Sequence, residues 1–75
     1  MNAKINDINA IDSLIIHADF IRLNGPDGKA IARASARTDG AWDVRSPSGE
    51  WTRVDEELAQ SLMATYATLY ALGGI

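Results

Sequence analysis

Few side chains here have the type and spacing that catalysis needs. His17 and Asp19 stand two positions apart, so in a strand they share a face, and a carboxylate beside an imidazole can orient it as a general base. No nucleophile or second base accompanies them, and an ordinary surface pair accounts for both. One His, no Cys and scattered Asp lack the clustered ligands of a zinc or calcium motif, so neither a metal nor a cofactor is expected. The run "NGPDGK" joins two glycines to Lys29. It lacks the GxxxxGK[ST] pattern, and no helix follows whose N-terminus faces an anion; a turn explains each residue. Glu56 and Glu57 are adjacent, so on a helix they point about 100° apart, and the positive end of the helix dipole explains both. The sequence reads as non-enzymatic.

The stretch "AIARASARTDGAWDVR", Ala30 to Arg45, invites a different chemistry. If its two halves are strands, Arg33, Arg37 and Arg45 lie on one sheet face interrupted by Asp43, and Trp51 and Arg53 on the next strand extend it. Arg and Trp are enriched at protein-binding hot spots. Sheet faces that mix basic and stacking side chains also read single-stranded nucleic acid. The charge balance ranks these options: seven Lys and Arg against ten Asp and Glu give a net charge of −3, which opposes a general polyanion binder. Between residues 22 and 53 six basic side chains face four acidic ones, a modest local excess, and no RNP-type sequence is present. The expected partner-binding residues are Arg33, Arg37, Arg45, Trp51 and Arg53. The competing readings are a solvated face of cross-strand Arg and Asp pairs worth ~0.2–1 kcal/mol each, a nucleic-acid-binding module, and a subunit of an oligomeric enzyme whose second chain completes a site around His17.

The elements that hold these residues must fit in 75 positions, enough for a single small domain that buries roughly 60–65 % of its unfolded surface. Without cysteine no disulfide can reinforce so small a core, and oligomerisation is the support left open. The lack of cysteine fits a reducing compartment, and "MNAKINDINAID", with Asp7 and Asp12 ahead of the first apolar run, does not resemble a secretory signal. A cytoplasmic location is expected.

Two stretches, "RLNGPDGKA" and "DVRSPSGEW", share one turn grammar. Pro26 and Pro47 preset φ for the second position of a type I turn, and Gly28 and Gly49 can take the left-handed conformation that rejoins the strands. Asp39-Gly40 supplies a third hairpin turn between them. From 30 to 37 the chain alternates without a fault, Ala30, Ala32, Ala34 and Ala36 against Ile31, Arg33, Ser35 and Arg37. The alanines, Trp42 and Val44 are expected on the core side. Residues 9–24 fit either a helix face or a strand; the strand is preferred over Leu14 to Leu23, after a possible helical turn, because the next strand needs a hairpin partner.

From Asp55 the period becomes helical, with Asp55 as N-cap and Gly73-Gly74 as terminator. Leu58, Leu62, Tyr66, Leu69 and Leu72, flanked by Ala59, Met63 and Tyr70, form the expected buried face. All seventeen charged residues precede Leu58, whereas a solvated helix face normally carries several. The opposite face, Gln60, Ser61, Ala64, Ala67, Thr68 and Ala71, is small and uncharged. It reads either as an exposed Ala/Thr-rich surface or as a helix contact of Gln60, Ala64, Ala67, Thr68 and Ala71 with a second chain. A membrane span is not expected, since Gln60, Ser61, Thr65 and Thr68 interrupt a stretch already short of the roughly 20 apolar residues a bilayer requires.

The expected fold is therefore α+β: a four-stranded antiparallel β-meander, with strands at about 14–23, 29–37, 41–46 and 50–54, packed against one C-terminal α-helix at about 55–72. The expected function is a small protein-binding module, homodimeric, with an accessory or inhibitory action on a larger complex. The small blockers that phages and mobile elements direct against host defence systems offer an analogy in size alone.

Overall fold

A computed structural model describes residues 14–74. Its strands are β1 (Leu14–Ile16), β2 (Phe20–Asn24), β3 (Ala30–Ala36), β4 (Trp42–Arg45) and β5 (Trp51–Val54), followed by the helix α1 (Glu56–Ala71). The strands form one antiparallel sheet in the order β1-β2-β3-β4-β5, and α1 packs across β2, β3 and β4. The α+β meander with one C-terminal helix is thus the architecture the sequence predicts, with five strands in place of four.

The extra strand comes from a reversal inside the segment expected as a single strand. At His17-Ala18-Asp19 the chain turns back, pairing Leu14 with Leu23 and Ile16 with Ile21. The His17 N–H donates to the Phe20 carbonyl at 2.8 Å, and the imidazole stacks on the Phe20 ring at a centroid distance of 4.6 Å. An unbroken strand over 14–23 would overrun β3, which has seven residues, and leave backbone groups unpaired. Folding back pairs them. The helical turn expected before Leu14 lies outside the described residues.

The three later turns repeat one geometry. In each, the N–H of the first residue donates to the carbonyl four positions on (Gly25 to Lys29, Arg37 to Ala41, Ser46 to Glu50), and the fourth residue's N–H donates back to the first (Gly28, Gly40 and Gly49). This is a type I turn closed by a left-handed residue. The φ of +83° at Gly28 and +95° at Gly49 is the conformation that costs a side chain energy and glycine almost none.

On the inner sheet face Ile21, Leu23, Ala32, Ala34, Trp42 and Val44 are buried, and Ala59 and Met63 meet them from the helix. Ala32 and Ala34 remove bulk where the helix approaches, so the layer is filled by Leu23, Val44 and Trp42 around them. Ala36, on the same side, is exposed and Ala30 half-buried. The helix is rolled by one residue from the expected face. Ala59 and Met63 point inward, Leu62, Tyr66, Ala67 and Tyr70 pack at the flanks, and Leu58, Leu69 and Leu72 are exposed. With Trp42 and Leu23 already occupying the layer, a small Ala59 and an unbranched Met63 fit closer to the sheet than a row of leucines.

Both helix ends are closed by their own side chains and backbone. The Asp55 carboxylate accepts the Leu58 N–H at 2.8 Å, while Gly74 and Gly73 donate to the carbonyls of Leu69 and Tyr70, the pairing of a Schellman motif. Asp55→Ala leaves the Leu58 N–H without its acceptor and is expected to lower stability by about 0.5–2 kcal/mol, read as a fall in urea midpoint with unchanged m-value. An unchanged midpoint would place the energetic start of the helix elsewhere.

Candidate functional site

Because Ile21, Leu23, Ala32, Ala34 and Val44 point into the core, strand alternation turns Arg22, Arg33 and Arg45 to the face away from the helix. Sheet register then aligns them. Arg22 pairs with Arg33, Arg33 with Arg45, Arg45 with Trp51, and on the other side Ile15 pairs with Arg22. One transverse row therefore reads Ile15, Arg22, Arg33, Arg45, Trp51. Its neighbour reads Phe20, Ser35, Asp43, Arg53.

The two rows differ in electrostatics. Asp43 accepts from Arg37 Nη1 at 2.9 Å and lies 3.7 Å from Arg53 Nε, and Arg37 Nε also lies 3.5 Å from Asp39. The Asp43 carboxylate, by hydrogen bond and by charge, raises the pKa of Arg37 above its ordinary value. The Ala41 N–H, donating to Asp39 at 3.0 Å, holds that carboxyl below the usual range, with Arg37 adding to the effect. This cluster is internally neutralised. No ion pair among the described residues reaches Arg22, Arg33 or Arg45. Arg45 Nη2 makes one long bond, 3.4 Å, to the Ala30 carbonyl, and the Nε atoms of Arg22 and Arg45 are enclosed without any partner. Like charges directly opposite on neighbouring strands repel, and among the described residues no carboxylate pairs with these three arginines.

Of the five residues expected at the face, the structure brings Arg33, Arg45 and Trp51 into the row and draws Arg37 and Arg53 around Asp43. Trp51, on the edge strand β5, is 58 % exposed, a large apolar surface beside three cations. Arg22 belongs to the row but was not among the expected residues. Its flanking Ile21 and Leu23 signal its facing, but its register with Arg33 depends on the β2–β3 hairpin and on the register shift at Leu23 and Asn24, where Asn24 pairs with Ala30 but Leu23 with Ala32.

The expected helix contact divides. Gln60 and Ala64 line, with Leu14, Ile16, Ile21 and Met63, a cavity of about 320 Å³ between the helix and the β1–β2 hairpin. Ala67 packs against the core. Thr68 and Ala71 are exposed, the Thr68 hydroxyl donating to the Ala64 carbonyl at 3.0 Å. The exposed leucines fall instead on one outer flank of the helix, a line of Leu58, Leu62, Thr65, Leu69 and Leu72 in steps of four, three, four and three residues, with Leu72 78 % exposed and Leu62 packed against the core.

His17 and Asp19 lie in the reversal rather than in a strand, where they were expected to share a face, and no hydrogen bond or ion pair joins them. Among the described residues no group of three or more His, Asp or Glu is placed to hold a metal, and no helix is long and apolar enough to cross a membrane. Compared with protein-family models, with curated proteins and with solved structures, the chain finds no match in any of the three.

Proposed function

We propose that this chain is a small non-enzymatic protein-binding module, an accessory or inhibitory component of a larger assembly, which meets its partner with the sheet face opposite the helix. The observation that carries this reading is the aligned row Arg22, Arg33 and Arg45, without an ion pair among the described residues and ending on exposed Trp51. A face serving only for solvation resembles the neighbouring row, where Asp43 satisfies two arginines. Three opposed guanidinium groups are a standing repulsion that a partner's carboxylates relieve on binding, and Trp51 supplies the apolar anchor typical of hot spots. Nucleic acid is the weaker alternative because the nearby cations Arg37 and Arg53 are already paired with Asp39 and Asp43 and the whole chain carries a net charge of −3.

Arg33→Glu tests this directly. It places a carboxylate between Arg22 and Arg45, turning two like-charged pairs into two opposite ones, and is expected to raise the stability of the free domain by roughly 0.4–2 kcal/mol, two pairs at about 0.2–1 kcal/mol each. The same substitution is expected to abolish capture of the partner when immobilised protein is incubated with a lysate of the cells that encode it and the retained proteins are read by mass spectrometry. A captured protein retained equally by wild type and variant would overturn the assignment of this face.

We also propose that the chain forms a homodimer through the outer line of α1. Leu58, Leu69 and Leu72 are exposed, and no charged residue follows Glu57, so two copies of this line can meet without burying a charge.

A further inference from the structure

The row has a spacing as well as a sign, and together they select among acidic partners. Arg22, Arg33 and Arg45 stand on adjacent strands in direct register, so they step across the sheet by about 4.8 Å. Side chains on one face of a helix, three or four residues apart, recur at about 5–6 Å, close to that step. An extended segment presents same-face side chains only every second residue, about 6.6–6.8 Å apart, and falls out of step by the third arginine. The enclosed, unpartnered Nε atoms of Arg22 and Arg45 leave the Nη groups as the donors a carboxylate can reach, with Arg45 Nη2 held only by its long 3.4 Å bond to the Ala30 carbonyl.

Resting on the protein-binding reading of this same face, we infer that its ligand is an acidic helical segment of a partner protein. The segment lies across the strands with Asp or Glu at three- and four-residue steps opposite Arg22, Arg33 and Arg45, and with an apolar side chain one step further on against Trp51. The complementary charge occupies one row. In the adjoining row Arg53, like Arg37 nearby, is already held by Asp43, so a ligand whose negative charge is confined to one face fits the surface, whereas a phosphate backbone continuing past three contacts finds at the row's ends Ile15 and Trp51 in place of further cations. Ile15, 37 % exposed, closes the far end of the row and admits a second apolar contact.

The test uses two alanine-based helical peptides of identical composition, each with three Glu and one Leu. In one the four side chains share a face at three- and four-residue steps; in the other they are distributed around the helix. A single-stranded oligothymidine serves as the phosphate probe. Binding is followed by Trp51 fluorescence, with Trp51→Phe identifying the signal against buried Trp42. At low salt the aligned peptide is expected to bind at least about tenfold more tightly than the permuted one, and Arg33→Glu to weaken it by at least about tenfold, a factor equal to 1.4 kcal/mol. Equal affinity for the two peptides, binding of neither, or tighter binding of the oligonucleotide would overturn the inference. If cellular capture depends on Arg33 while the peptides are not distinguished, the helical ligand fails and the protein-binding face stands. If capture is independent of Arg33, both fail.

Discussion

Met63→Ala is expected to cost about 2–5 kcal/mol of folding stability, a large part of the ~5–15 kcal/mol that holds a typical domain together. Only two helix residues are buried in the core, and Met63, 1 % exposed, is much the larger. It sits in one cluster with Leu23, Val44 and the two buried alanines, so truncation removes the largest fully buried side chain that fastens α1 to the strands. Met63 also lines the 320 Å³ cavity beside the β1–β2 hairpin. Its loss joins that space to the core, and the small Ala32 and Ala34 opposite cannot fill the gap. Leu72→Ala, at a position 78 % exposed, is expected to change the free monomer's stability by less than about 0.5 kcal/mol. Urea unfolding at a concentration where the protein is monomeric separates the two. A Met63→Ala loss smaller than that of Leu72→Ala would show that the helix packs by its leucines after all.

The order of those two substitutions is the reverse of what the sequence suggests, and the reason is physical. Summed hydrophobicity around the helix favours the four leucines, but which face turns inward depends on how much space the sheet leaves. Trp42 and Leu23 fill the layer, and that is a property of the assembled sheet rather than of the helix. The sheet itself was more legible. Three turns share one backbone geometry enforced by Pro26, Pro47 and the glycines, and the alternation from Ala32 to Arg37 leaves a single choice of inner face, although a register shift at Leu23 and Asn24 brings Ile31, expected on the outer side, against the core. The helix ends were equally local, since Asp55 and Gly73-Gly74 satisfy groups within the last turn at each end.

The reversal at His17-Ala18-Asp19 was not legible because it contains neither Gly nor Pro, and Asp19 alone is a weak turn signal. It is held by a cross-strand register and by the stacking of His17 on Phe20. A second irregularity, the register shift at Leu23 and Asn24, concealed part of the candidate site. Strand alternation alone places Arg33, Arg37 and Arg45 on one face. Which of them stand opposite one another is decided by register, and register sends Arg37 to Asp43 while bringing Arg22 beside Arg33.

Leu69→Glu is expected to convert the protein from dimer to monomer. The outer line of α1 runs Leu58, Leu62, Thr65, Leu69, Leu72, the four-three spacing that lets the side chains of one helix insert between those of another. Over the sixteen residues of the helix it extends about 24 Å, and no charge lies within it. At 100 μM, about a hundredfold above a Kd of ~1 μM, wild-type protein should sediment as a dimer and show a melting temperature that rises with concentration. Leu69 is 42 % exposed and makes a smaller contribution to the monomer core than Met63, so a glutamate there places a charge in the seam while leaving the monomer folded by circular dichroism. Ala67→Glu is a different experiment, because Ala67 packs against the core and its substitution perturbs the fold together with any contact. Wild-type protein that sediments as a monomer at this concentration would remove the dimer; a Leu69→Glu variant that remains dimeric would move the interface off this face of the helix.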